Sequence, residues 1–261
     1  MRIAVLGATG LAGRAFVPRA HAAGHSVVLR RADIFDRRAL ITLFEGCDAV
    51  VNLATSIPKP GGRGEWAVND RIRREGTVNL LAACPEAGVG IVVQQSVAML
   101  HCVADDRAQT EDDPIEGYGA LASAFDMEAL VRAAPLDGRL VRGGLFYGPG
   151  TEREELWIEE VRNRTFRIPG DGNAWISPVH VEDYASALIE IIANGRPNES
   201  YIVCDDQPLR LRELYSRVAR RARVDPPKVG AAQGMRSFRV SNARLRSLGW
   251  KPVHPTLTIK F

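Results

Sequence analysis

Met1-Arg-Ile-Ala-Val-Leu-Gly-Ala-Thr-Gly-Leu-Ala-Gly-Arg-Ala15 is the stretch from which the rest of the chain can be read. The apolar run from Ile3 to Leu6 predicts a short buried strand. Gly7, Gly10 and Gly13 follow at the spacing G-x-x-G-x-x-G, with Thr9 and Leu11 between them, and an Ala-rich helical pattern opens directly behind. In a strand-turn-helix each glycine has a physical task. One permits the tight turn, one lets backbone N–H groups approach a pyrophosphate, and one lets the helix pack closely on the strand. Ordinary loops also carry three glycines in seven residues. The strand in front and the helix behind are what make this stretch a dinucleotide cradle.

Downstream, strand and helix patterns alternate. Residues 26–29 predict a second strand, and Asp36 predicts the cap of a helix reaching residue 45. A pure apolar strand is expected over 49–54, then a Pro/Gly-rich loop over 57–64, a helix over 68–83 and a strand over 91–95. A helical period runs through 117–133, and Leu140 and Val141 begin another strand. Strands apolar on both faces, separated by helices, indicate an α/β doubly wound parallel sheet with helices on both sides, which we assign to residues 1–150. Past Gly150 the pattern loosens into helices over 152–164, 181–193 and 210–222, short strands over 176–179 and 201–204, and a last short helix capped by Ser241. Residues 151–261 are therefore expected to form a smaller α/β substrate lobe that does not fold independently.

Composition narrows the function. Hydrophobic residues at 46% and charged residues at 25% describe an ordinary globular chain. A net charge of +3 gives no reason to expect a nucleic-acid partner. Arg217, Arg220, Arg221 and Arg223 read as a solvated helix end. Cys47, Cys84, Cys102 and Cys204 are scattered, without a C-x-x-C pair or a histidine at ligand spacing, so reduced thiols and no metal site are expected. No apolar run reaches membrane-spanning length and the N-terminus does not read as a signal peptide, which predicts a cytoplasmic protein with a small-molecule substrate, as monomer or homodimer. Lysine is scarce: Lys59, Lys228, Lys251 and Lys260 are the only four.

Further landmarks follow the opening turn in order: Asp33-Ile-Phe-Asp36, Val50-Val-Asn-Leu-Ala54, Asn69, Gly76-Thr-Val-Asn-Leu-Leu81, Arg142-Gly-Gly-Leu-Phe-Tyr-Gly-Pro-Gly150, Val179-His-Val-Glu-Asp183 and Leu248-Gly-Trp-Lys-Pro252. Together they resemble the extended and atypical short-chain dehydrogenase/reductase family, in its NAD-dependent epimerase/dehydratase branch, over nearly the whole chain. The resemblance implies that Asp33 and Ile34 lie beside an adenine, Leu53, Ala54 and Thr55 under a ribose, and Gly143, Gly144 and Leu145 along a nicotinamide. It implies an oxidoreductase that uses NADP or NAD on a small carbonyl or sugar-like metabolite.

Two departures bear on that reading. Relatives carry a loop or helix and a third strand between the second strand and the D-x-x-D segment, whereas here only Arg30, Arg31 and Ala32 separate Leu29 from Asp33. Arg30 and Arg31 then stand where a ribose 2′-phosphate would be, and a planar guanidinium suits that group, so NADP is preferred over NAD. The second departure concerns chemistry. The family set is a Ser or Thr after the strand at 91–95 plus Y-x-x-x-K. Ser96 and Tyr118 fit the two hydroxyls, but Ala122 stands where the lysine is required. Without a nearby cation a tyrosine is only ~0.1% ionised at pH 7. Tyr118 can then donate a proton but is a poor base, which favours reduction over alcohol oxidation. The same substitution leaves two alternatives: a dinucleotide-binding sensor or scaffold similar to the NmrA-like regulators, and a non-redox dehydratase or isomerase.

Overall fold

A computed structural model describes residues 1–58, 65–102, 106–231 and 236–259. Most of the Pro/Gly-rich loop expected over 57–64, with Lys59, lies outside these residues, as does Lys260. The chain begins with β1 (Arg2–Leu6), α1 (Leu11–Ala22), β2 (Ser26–Val28), α2 (Arg37–Phe44) and β3 (Ala49–Asn52). Next come α3 (Trp66–Arg71), a single π-helical turn (Ile72–Gly76), α4 (Thr77–Glu86), β4 (Ile91–Val97), α5 (Ala122–Ala133), β5 (Asp137–Gly143) and β6 (Leu145–Tyr147). The last part holds α6 (Arg153–Arg162), β7 (Ile168–Pro169), β8 (Trp175–Ile176), β9 (Pro178–His180), α7 (Val181–Asn194), β10 (Ser200–Val203), β11 (Leu209–Arg210), α8 (Leu211–Ala222), β12 (Val229–Ala231) and α9 (Ala243–Ser247).

Six strands pair in parallel in the order β10-β5-β4-β3-β1-β2. The alternation of side chains along β1 shows why both faces are apolar. Ile3 and Val5 pack with Phe16 of α1 and Tyr184, Leu188 and Ile191 of α7. Ala4 and Leu6 pack on the opposite face with Leu40 and Phe44 of α2 and Leu80 and Cys84 of α4. This is the doubly wound α/β sheet expected from the alternating pattern. The chain winds one way from β1 to β2 and the other way from β1 to β3, so the glycine turn after β1 stands at the topological switch point, where such sheets take their ligands.

The predicted caps differ in detail. Asp36 accepts the N–H groups of Arg38 and Ala39 at 3.0 and 3.1 Å and starts α2, as expected. The last short helix begins one residue later than the Ser241 reading, with Asn242 at its cap position, while Ser241 Oγ accepts the Ala243 N–H in a local turn. No strand intervenes between β2 and α2, so β2 is the edge of the sheet and the short connection turns directly into the D-x-x-D segment. After Gly150 the chain divides. α7 and β10 rejoin the main sheet, whereas α6 and α8 pack on each other with Trp157, Leu214, Tyr215, Val218 and Phe238 in a second core. Among the described residues no helix is long and apolar enough to cross a membrane.

Candidate active site

Backbone geometry builds the glycine turn. Gly7 has a φ of 76°, and a Cβ there would stand 2.6 Å from the Leu53 carbonyl and 2.7 Å from the Ala54 nitrogen. A Cβ on Gly13 would stand 2.3 Å from Gly7 O, so the first turn of α1 lies directly on the strand exit. Gly10 is the N-cap of α1, and it offers no side chain to the free N–H groups of the first turn. No acidic residue occupies that turn either. The helix terminus therefore presents unpaired donors and the positive end of its dipole beside Thr9 and Leu11, an arrangement suited to a pyrophosphate.

A cavity of about 530 Å³ adjoins the turn, lined among others by Gly7, Arg31, Asp33, Ile34, Ala54 and Ile72. The structure thus brings Gly7 of the turn together with four of the residues expected at the adenine and its ribose, Arg31, Asp33, Ile34 and Ala54. Arg30 is separated from them. It lines a different crevice, with Arg2, Glu45 and Gly46. Leu53 is buried and Thr55 exposed at the exit of β3. Gly143 and Gly144 are buried at the carboxyl end of β5. A Cβ on Gly144 would meet Ser177 O at 2.2 Å, and the Leu145 N–H donates to that same carbonyl at 2.8 Å. The loop that follows returns to the start of α1, where Gly150 faces Leu11 and Arg14.

The two hydroxyls assigned to chemistry lie in different surroundings. Ser96 is only 2% exposed and its Oγ donates to Glu128 Oε1 at 2.6 Å. Glu128 in turn receives Arg142 Nε at 2.9 Å and Nη2 at 2.6 Å, with both side chains 1% exposed. Burial alone would push the Glu128 carboxyl up, but the two-pronged guanidinium, with Ser96 and Arg132, holds it below its ordinary range. Arg142 Nη1 lies 2.8 Å from His101 Nε2. Burial, then the Arg142 charge, depresses His101 to about 4, so the imidazole is neutral and its Nε2 accepts. Ser96 is thereby committed to a buried ionic network.

Tyr118 stands just before a short 3-10 turn (Gly119–Leu121) that leads into α5. Its phenol is pushed up to about 12, by burial first and then by the neighbouring Cys102; Arg236, 4.0 Å from the ring centroid, opposes this. The buried Arg73 of the π turn donates from Nη1 to Ala120 O and Ser123 Oγ, both at 3.3 Å, on either side of Ala122. Sequence reasoning passed over Arg73, Arg142 as an ion-pair partner, and Glu128. The legible signal for Glu128 was its place on the apolar face of α5 with Ala124, Met127 and Val131.

Two further clusters flank the loop at 147–150. Tyr147 Oη donates to Asp205 Oδ2 at 3.0 Å, and burial raises the Asp205 carboxyl to about 8. Because the folded value lies above the unfolded one of about 3.9, its stabilising contribution is full below about pH 4 and is lost as pH rises toward 8. Asp205→Asn is therefore expected to flatten the pH dependence of stability between about pH 5 and 8, measured by urea unfolding, and to leave the variant the more stable protein at about pH 8.5. An unchanged slope would remove Asp205 as its source. His180, Glu182 and His254 offer ligand atoms within 4.8 Å of one another. The imidazoles of His180 and His254 stack with ring centroids 3.6 Å apart, and His180 Nδ1 accepts the Glu182 N–H.

The fold and the geometry of the turn define a protein with a nucleotide cleft at the switch point of a doubly wound sheet. The chain belongs to the NAD dependent epimerase/dehydratase family, whose model matches residues 3–204. It is similar to a 3-diazoavenalumate denitrifying reductase of a Streptomyces species, 28% identical over 297 positions that cover 98% of this chain and 97% of that one. It is also similar to the 2-alkyl-3-oxoalkanoate reductase of Stenotrophomonas maltophilia, 26% identical over 89% of this chain and 78% of the relative. Among solved structures it resembles DesIV, the dTDP-glucose 4,6-dehydratase of Streptomyces venezuelae with NAD and TYD bound, at a TM-score of 0.80 and 24% identity, covering 97% and 92% of the two chains. RMD from Pseudomonas aeruginosa complexed with NADPH aligns at a TM-score of 0.79 and 24% identity, covering 99% and 94%.

Proposed function

We propose that this chain is an NADP(H)-binding reductase, with NAD(H) the alternative cofactor, that delivers hydride to a small carbonyl-type or sugar-like metabolite. The observation that carries the reading is the glycine cradle, whose free helix N–H groups and adjoining adenine-sized cavity have no other evident use. When bound, the nicotinamide supplies the hydride. The chain's residues would do the rest. The first turn of α1 holds the pyrophosphate, Asp33 and Ile34 flank the adenine, and Arg31 faces a 2′-phosphate. Tyr118, held protonated, donates to the oxygen that gains charge. A phenol of that pKa is a weak base, so the reductive direction is favoured. The reductases among the curated relatives support the reaction type, and the NADPH and NAD held by solved relatives support the cofactor class.

Titration with NADPH and NADH, followed by nicotinamide fluorescence, tests the cofactor. Arg31→Leu is expected to weaken NADPH about tenfold or more and to leave NADH nearly unchanged. Equal losses for both would end the preference for NADP. Tyr118→Phe is expected to slow turnover at least about tenfold, and a variant of full activity would remove it from the mechanism. Ala122 and the commitment of Ser96 to Glu128 favour a second reading, a dinucleotide-binding sensor. Binding without turnover across a broad carbonyl panel would support it. We read the outer face of α4 and α5, where Val78 and Phe125 are exposed, as the surface through which a homodimer would form, and analytical ultracentrifugation separates it from a monomer.

A further inference from the structure

Arg73 is 5% exposed, and among the described residues no carboxylate lies within ion-pair distance of it. Burial lowers its pKa, with Asp70 offsetting this only through space. Buried charges are normally paired or bound to something, since an uncompensated one is costly to desolvate. Its Nη1 is used by Ala120 O and Ser123 Oγ, while Nε and Nη2 have no hydrogen-bond partner among the described residues. One turn earlier Asn69 is fully buried. Its Oδ1 accepts the Ser56 N–H at 3.0 Å just after β3, and its Nδ2 has no partner among the described residues. Both residues belong to the segment in which α3 passes into the π turn, an irregularity that recurs at functional sites.

The placement of this pair limits what it could hold. Ile72, next to Arg73, lines the cavity beside Gly7. Arg73 itself reaches the start of α5, which packs on β4 and β5. A ligand with its adenine in that cavity and its pyrophosphate on α1 must carry its second half over the carboxyl ends of β3 and β4, toward α5. We infer that Arg73, aided by Asn69, binds the second ribose of the dinucleotide and supplies beside position 122, which is Ala, a buried cation that no carboxylate of the described residues pairs, unlike Arg142. The inference rests on the dinucleotide reading above. Hydroxyl oxygens of a ribose would satisfy the free guanidinium and amide donors.

The test uses binding, so that no substrate need be known. The full chain is titrated with NADPH and with 2′,5′-ADP, which ends before the second ribose. Arg73→Met is expected to weaken NADPH at least about tenfold while leaving 2′,5′-ADP within about twofold of the unmodified protein. Arg73→Lys should retain much of the affinity, and Ala122→Lys added to Arg73→Met should restore part of it by placing a cation at the same corner. Thermal melting identifies any variant that has lost its fold, in which case Arg73→Lys and the double variant carry the comparison. Unchanged NADPH affinity in Arg73→Met, or equal losses for both ligands, would overturn the inference while leaving the dinucleotide reading in place. If the unmodified protein binds neither ligand, the dinucleotide reading itself fails and takes this inference with it.

Discussion

Replacing Glu128 with alanine is expected to destabilise the fold by about 3–5 kcal/mol, because it strands the Arg142 guanidinium in a site that excludes water. At the roughly 2–4 °C per kcal/mol typical of chains near this size, the melting temperature should fall by roughly 6–20 °C. The magnitude follows from burial. Both partners are 1% exposed and joined by two short hydrogen bonds, and Ser96 loses its acceptor in the same step. Exposed pairs such as Arg71–Glu75, with both side chains 57% exposed and screened by water, should by contrast contribute little. A second variant separates the charge from the packing: Glu128→Ala with Arg142→Met should recover much of the loss, since an apolar pair leaves nothing unpaired. Were Glu128→Ala to melt within about 2 °C of the unmodified protein, the network would not be the buried anchor described here.

Gly13→Ala should abolish measurable NADPH binding, a loss of at least about 100-fold or about 2.7 kcal/mol. The added methyl would lie 2.3 Å from Gly7 O and 2.5 Å from Ala8 Cα, both backbone atoms that no rotamer change can move. α1 would have to lift from the turn, carrying its free N–H groups away from where a pyrophosphate rests. Gly10→Ala provides the contrast. Its new Cβ would meet only Gly7 O at 3.2 Å, and its φ of −73° is open to any residue, so a loss of no more than about tenfold is expected. The pair of variants separates a steric requirement from a general sensitivity of the turn. Equal effects at both positions would argue that the cradle is not what holds the ligand.

Much of the fold could be read along the chain, for a local reason. Strand and helix follow from the period of apolar residues, and the runs at Ile3 to Leu6 and Ala49 to Asn52 bury side chains on both faces, as such runs must in a parallel sheet. The adenine side was legible residue by residue where the motif is short and contiguous, as with Asp33 and Ile34. It was less so at Arg30 and Arg31, where one step along the chain separates the cavity beside Gly7 from a different crevice against α2.

The chemistry of the site was harder to read, because it depends on partners distant in sequence. Ser96 looks like an exposed strand-end hydroxyl until Glu128, 32 positions away, is seen to hold it. Tyr118 and its missing lysine were visible, but not Cys102 and Arg236 around the phenol, nor Arg73 beside Ala122. The sequence by itself determined that the chain makes a strand, a glycine turn and a helix able to hold a dinucleotide, since close backbone approach demands glycine at those positions and at that spacing. Only the tertiary structure decided which polar groups face the cleft and which are spent inside the protein. That outcome is set by the packing of α5 and the π turn against β4 and β5, which pairs charges according to their place in space and not their order along the chain.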